Sequence, residues 1–194
     1  MNDETAKEFA EGLFFEDMLP LEWRRLDAEP DEAYLAHLND SNDNMLRMLA
    51  IMEERVQDKA DEGQSLNAEI ARLEAKVNLL LDMAGQILAN HLLLPDQTPA
   101  RLGARGIEFA TTDPPTRNER VLISVYLYER YPRPLEVVGS VFSVDDTGNG
   151  AFWVRVKFEK MSPAVQDWLE KFIFRRHRRL VAQSRGQAPE SHHH

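Results

Sequence analysis

The sequence predicts an α+β protein: a small antiparallel sheet or barrel, interrupted by a long heptad-patterned helical segment and closed by an amphipathic helix. Three observations predict it. Short β-rich runs separated by turn formers fill residues 106–161. Residues 31–94 contain no proline and are rich in Ala, Leu, Met, Glu, Lys and Arg, the strong helix formers. A final run opening at Ser162-Pro163 repeats its apolar residues at helical spacing.

The elements follow in chain order. Residues 1–12 are acidic and weakly patterned, a short helix or a loose arm. Residues 13–29 read as a first strand, with Leu19, Leu21 and Trp23 alternating with Pro20, Glu22 and Arg24. Pro20 places that strand at a sheet edge, or at a point where a missing N–H does no harm.

Pro30-Asp31-Glu32 is a helix start, and from there the apolar residues keep a 4-3 spacing. With Met45 at d, the a positions are Leu35, Asn42, Leu49, Val56, Ile70, Val77 and Ala84. The d positions are Leu38, Met45, Met52, Leu66, Leu73, Leu80 and Ile87, and Lys59 and Gly63 interrupt the seam at a d and an a position. Over 66–87 the heptad is clean. Leu46, Leu81 and Leu88 fall at e, and Met48 and Met83 at g, so the apolar face is wider than a two-stranded seam needs. Asp61-Glu62-Gly63-Gln64-Ser65 reads as a helix stop and a new start, Gly at C′ and Ser as N-cap. This predicts an αα-hairpin with arms of about 45 Å; the rival is one unbroken helix of about 90 Å. Leu66, Ile70, Leu73, Val77, Leu80, Leu81, Ala84, Ile87 and Leu88 are the expected oligomer interface, and apolar e positions point to a tetramer. The bland counterpart is a stripe that serves only the inner face of an intrachain hairpin.

Residues 95–105 read as a Pro/Gly-containing linker. Strands are then expected at 106–111, 120–128, 135–144 and 151–158, dense in β-branched and aromatic residues. Asp145-Asp-Thr-Gly-Asn-Gly150 is a hairpin loop. The last helix is expected at 163–183, with Ser162 as N-cap, Pro163 at N1 and a buried stripe of Val165, Trp168, Leu169, Phe172 and Ile173.

Composition excludes several functions. Cysteine is absent, which removes disulfides, thiolate metal sites and a Cys nucleophile and leaves the reducing cytoplasm as the default location. Ser191-His-His-His194 reads as a purification tag; the remaining His37, His91 and His177 are scattered and make no metal site. The acidic start is no signal peptide. The stretch from Val77 to Leu94 is broken by Asp82, Gln86 and Asn90 and cannot span a membrane. Charge is uneven: residues 1–95 hold 21 acidic and 8 basic residues, net −13, and residues 96–194 hold 12 and 15, net +3. That distribution opposes nucleic-acid binding, although Tyr126, Tyr128, Phe152 and Trp153 could offer stacking faces on a barrel.

Little in the chain suggests catalysis, and the expectation is a non-enzyme without cofactor. Asp146-Thr147-Gly148 matches the aspartic-protease tripeptide, but it lies in a polar run between two alternating strands and reads as a turn. Arg175, Arg176, Arg178 and Arg179, around His177, form a basic cluster that could hold phosphate or an acidic partner; its bland counterpart is favourable charge near a helix C-terminus.

The segment Arg101-Leu-Gly-Ala-Arg-Gly-Ile-Glu-Phe109, followed by three long strands and an amphipathic helix, resembles the PilZ domain. The resemblance covers about 13–29 and 101–183. It implies a six-stranded β-barrel closed by a C-terminal helix and a bacterial receptor for cyclic di-GMP, with residues 31–94 inserted after the first strand. Gly106-Ile107 and Phe109 fit the end of the family signature D/N-x-S-x-x-G. Arg101 stands at its acidic or amide position and Gly103 at its serine. The family's R-x-x-x-R before the first strand is missing, since residues 1–23 contain no arginine. Those arginines stack on guanine and pair with phosphate in the family. The resemblance therefore implies a degenerate PilZ domain: an oligomeric signalling adaptor with a protein partner and weak or absent cyclic di-GMP binding. The alternative is a receptor with a relocated site built on Arg101, Arg105 and Gly106, or on the 175–179 cluster.

Overall fold

In the computed structural model the described residues are 12–57, 70, 73, 76, 77, 80, 84, 94–128, 131 and 133–186. They form β1 (Phe14–Arg25), α1 (Glu32–Gln57), β2 (Gln97–Gly103), β3 (Gly106–Thr111), β4 (Arg120–Val125), β5 (Leu135–Asp146), β6 (Phe152–Phe158) and α2 (Pro163–Gly186). The six strands close into an antiparallel barrel in the order β1-β2-β3-β6-β5-β4.

Closure depends on two long strands that change partners. β1 pairs with β2 from Phe14 to Pro20 and with β4 from Leu21 to Arg25. Pro20 stands at the switch, and its carbonyl accepts the Tyr126 N–H at 3.0 Å. A closed barrel has no edge, so of the two positions expected for Pro20 the structure has the second: the missing N–H falls where the ladder changes sides. β5 pairs with β4 through its first half and with β6 through its second, with a bulge between Val141 and Ser143. At Gly139 an added Cβ would come within 2.7 Å of the Lys157 carbonyl oxygen, so only glycine lets β5 and β6 approach there.

The linker expected at 95–105 is corrected, because β2 lies within it. Pro99 and Gly103 hid the strand. Pro99 lies beyond the β2–β3 ladder, which begins at Ala100, so its missing N–H breaks nothing on that side. The barrel interior is filled by Phe15, Leu21, Leu102, Ile107, Phe109, Val121, Ile123, Val154 and Val156. The expected stripe of α2 joins that cluster through Val165, Leu169, Phe172 and Ile173. Ser162 caps the helix, its hydroxyl accepting the Val165 N–H at 3.3 Å.

The helical segment divides by function. Along α1, Leu38, Asn42, Met45, Leu46, Leu49 and Ala50 are buried. Leu38 packs with Leu122 and Val138 on the outer wall of the barrel, while Met45, Leu46 and Leu49 join the main core. This part of the heptad stripe, read from sequence as a coiled-coil seam, is instead the face by which α1 docks on α2 and β5. Further along, Ile70, Leu73, Val77, Leu80 and Ala84 are helical and exposed. The expected stop at 61–65 and the interface residues Leu66, Leu81, Ile87 and Leu88 lie outside the described residues.

Candidate functional site

The candidate nucleotide residues sit on the β2–β3 hairpin. Arg105 is in the turn, its carbonyl accepting the Phe158 N–H at 2.9 Å. Gly106 opens β3 opposite Gly103 and Lys157. Arg101 lies on the outer face of β2, directly opposite Glu16 of β1 and Glu108 of β3.

The register continues across the wall. Glu108 is opposite Arg155 of β6, and Arg155 is opposite Ser143 of β5. The side chains follow it. Arg101 reaches Glu16 at 2.6 Å and Glu108 at 3.2 Å. Arg155 reaches the other Glu108 oxygen at 3.0 Å and Asp145 at 2.6 Å, and donates to the Ser143 hydroxyl at 3.3 Å. Five neighbouring strands thus carry one row of alternating charge, centred on the buried Glu108. Three carboxylates against two guanidiniums leave the row net negative. Arg101 also stacks on the Phe14 ring, 4.9 Å from its centroid. An anionic ligand would have to displace two carboxylates to claim this arginine.

Phe14 explains the glycine at the family's serine position as well. It pairs with Gly103, and a Cβ there would lie 2.9 Å from its ring. Phe14, Glu16, Glu108 and Arg155 escaped the sequence reading. The available signal was Glu108, a lone carboxylate inside an otherwise apolar strand.

The basic cluster is divided. Arg176 turns inward over the rings of Phe172, Phe15 and Tyr128, at 5.3, 5.6 and 5.9 Å. Arg178 points out, 5.8 Å from the Phe174 ring. Of the possible stacking residues, Tyr128 is taken by Arg176, and Tyr126, Phe152 and Trp153 are half-buried. The Asp-Thr-Gly tripeptide is a turn: Gly148 and Gly150 have φ of 79° and 82°, and the Asp146 carboxylate accepts the Gly148 N–H at 2.7 Å. Among the described residues there is no cluster of potential metal ligands and no helix long and apolar enough to cross a membrane.

The apolar line is the other candidate site. Ile70, Leu73, Val77 and Leu80 are 53, 64, 42 and 66% exposed. Their spacing puts them on one helix face, so the stripe is not covered by the described parts of its own chain.

The described residues thus form a closed six-stranded barrel with a helix packed against its core and a row of paired charge on its outer wall. The family model of the atypical PilZ domain, described as a cyclic di-GMP receptor, matches residues 46–186, and the chain belongs to that family. Among solved structures, a tetrameric PilZ-domain protein from Xanthomonas campestris, described as self-assembled through a helical bundle, aligns with a TM-score of 0.74 and 21% identity over 93% of this chain and 98% of its own. The inhibitor of motility from Bacillus subtilis aligns over 43% of this chain and 42% of its own, with a TM-score of 0.37 and 18% identity. No curated protein sequence matches.

Proposed function

We propose that this protein is a PilZ-family signalling adaptor that assembles, as a tetramer, through its helical segment and binds a protein partner, with weak or absent affinity for cyclic di-GMP. The observation that carries the reading is the exposed line Ile70, Leu73, Val77 and Leu80. Four large apolar residues on one face call for a partner surface, each contributing on the order of 2 kcal/mol when buried. The description of the Xanthomonas campestris protein as a tetramer built on a helical bundle supports a second copy as that surface. The committed state of Arg101, between Glu16 and Glu108, supports the weak nucleotide affinity.

The family's description as a receptor favours a second reading, binding at a relocated arginine site. Calorimetry with cyclic di-GMP separates the two. The adaptor reading expects no specific dissociation constant near or below about one micromolar, some −8 kcal/mol; such a constant, lost on Arg101→Ala or Arg178→Ala, overturns it.

A further inference from the structure

We infer that the outer face of α2 around Phe174 and Arg178 is the docking surface for an acidic segment of a partner protein, a carboxylate-rich stretch that also carries an apolar side chain. The inference rests on the adaptor reading and supplies its surface.

The charge is concentrated there. Residues 171–186 contain Lys171, Arg175, Arg176, Arg178, Arg179 and Arg185 and no acidic residue, in a chain whose net charge is −10. The inner face of the helix is fully used: Phe172 and Ile173 are buried and Arg176 is turned onto the aromatic rings beneath. The outer face carries Phe174 and Arg178, both exposed, at i and i+4, while Lys171 beside them is paired with Asp167 at 2.7 Å. Phe174 is 52% exposed, and the Arg178 guanidinium lies 5.8 Å from its ring. Among the described residues no carboxylate pairs with Arg178, so its charge remains available.

Five arginines to one lysine favour carboxylate recognition. The planar guanidinium grips a carboxylate with two parallel hydrogen bonds, which an ammonium cannot do. An exposed phenylalanine flanked by arginine is the composition that anchors protein interfaces. A bilayer or a nucleic acid is an extended polyanion and would also meet the acidic remainder of the chain. A short acidic segment meets only the face within about 8 Å, the screening length at physiological salt.

The test uses the full chain and a labelled peptide of mostly glutamate with two leucines, followed by fluorescence anisotropy at physiological salt. Binding is expected to weaken at least about tenfold in Arg178→Glu and about fivefold in Phe174→Ala, roughly 1 kcal/mol or more for each anchor. Lys157→Glu, an exposed charge on β6, should leave it unchanged. All three positions are at the surface, and matching light-scattering masses show that the variants fold and assemble alike. Binding indifferent to both α2 variants overturns the inference. So does Arg178-dependent sedimentation with phosphatidylserine vesicles in place of peptide binding. If the peptide ignores this face while the assembly mass and the nucleotide calorimetry meet the adaptor expectations, the surface falls and the adaptor reading stands.

Discussion

The side chain of Asn42 holds both backbone groups of Glu136: its Nδ2 donates to the Glu136 carbonyl at 2.7 Å and its Oδ1 accepts the Glu136 N–H at 3.1 Å. β5 pairs with β6 only from Gly139 onward, so at Glu136 one side of the strand lacks a neighbour. The amide of α1 takes that neighbour's place. Asn39, three residues earlier, does the same for the loop before α2, donating to the Lys160 carbonyl at 3.0 Å and accepting the Ser162 N–H at 2.7 Å. Two asparagines thereby fix how the helical segment leaves the barrel.

Asn42→Leu should therefore destabilise the fold, although it restores an apolar residue to a heptad a position. Asn42 is 3% exposed, and its loss leaves the part-buried N–H and C=O of Glu136 without their partner. The expected cost is about 2–3 kcal/mol in urea denaturation. A neutral or stabilised variant would show that α1 docks by apolar contact alone.

Glu108→Gln tests the row of charge. Its side chain is 10% exposed, while the two arginines it serves are 38–40% exposed and partly screened by water. The expected loss is about 2 kcal/mol, below the range for fully buried pairs. Loss of the central carboxylate also brings the row from net negative to neutral and releases one side of both guanidiniums, so cyclic di-GMP affinity should rise, measured by the same calorimetry. A variant with unchanged stability and affinity would mean the row holds neither the barrel nor Arg101.

Gly103→Ser places the family's serine where this chain has glycine. The new Cβ would meet the Phe14 ring, so the single substitution should destabilise by about 1–3 kcal/mol. Adding Phe14→Ala should recover part of that loss, with a coupling of about 1 kcal/mol in a double-mutant cycle. Strict additivity would remove Phe14 as the reason for the glycine.

Much of this architecture is legible in the residues. β3 to β6, the turn at 145–150, and the cap and stripe of α2 carry strong local signals, and the structure has them within a few residues. The strand at 97–103 was hidden because Pro99 and Gly103 are breakers wherever a neighbour is not known. The first part of the heptad stripe misled for a related reason. Leu38, Met45 and Leu49 repeat at helical spacing, and periodicity reports that a face is apolar, not whether a barrel or another helix covers it. Arg101 was found as an arginine; its neutralisation was not, because Glu16, Glu108 and Arg155 meet it only through strand register.

Glu119 should make stability depend on acid. The Thr116 N–H, donating to its carboxylate at 2.7 Å, is the main cause of a pKa below the ordinary value; desolvation opposes it, and the Thr116 hydroxyl and Arg25 add to the lowering. A depressed folded pKa means the contribution is fully present above the unfolded value, about 4.3 for glutamate, and is lost as pH falls through the folded one. The stability gap between wild type and Glu119→Gln should be widest near neutral pH and close in acid. A gap independent of pH would contradict this assignment.

The central claim is that the exposed line Ile70, Leu73, Val77 and Leu80 is an assembly surface, and solution mass by light scattering tests it most directly. The wild type is expected at four times the chain mass at tens of micromolar, roughly the range in which a coil of micromolar affinity is assembled. Leu73→Asp with Leu80→Asp should bring it to the mass of one chain while the far-ultraviolet signal of the barrel persists, because a carboxylate cannot be buried in that seam without a partner. A wild type that already runs as one chain at that concentration would contradict the account.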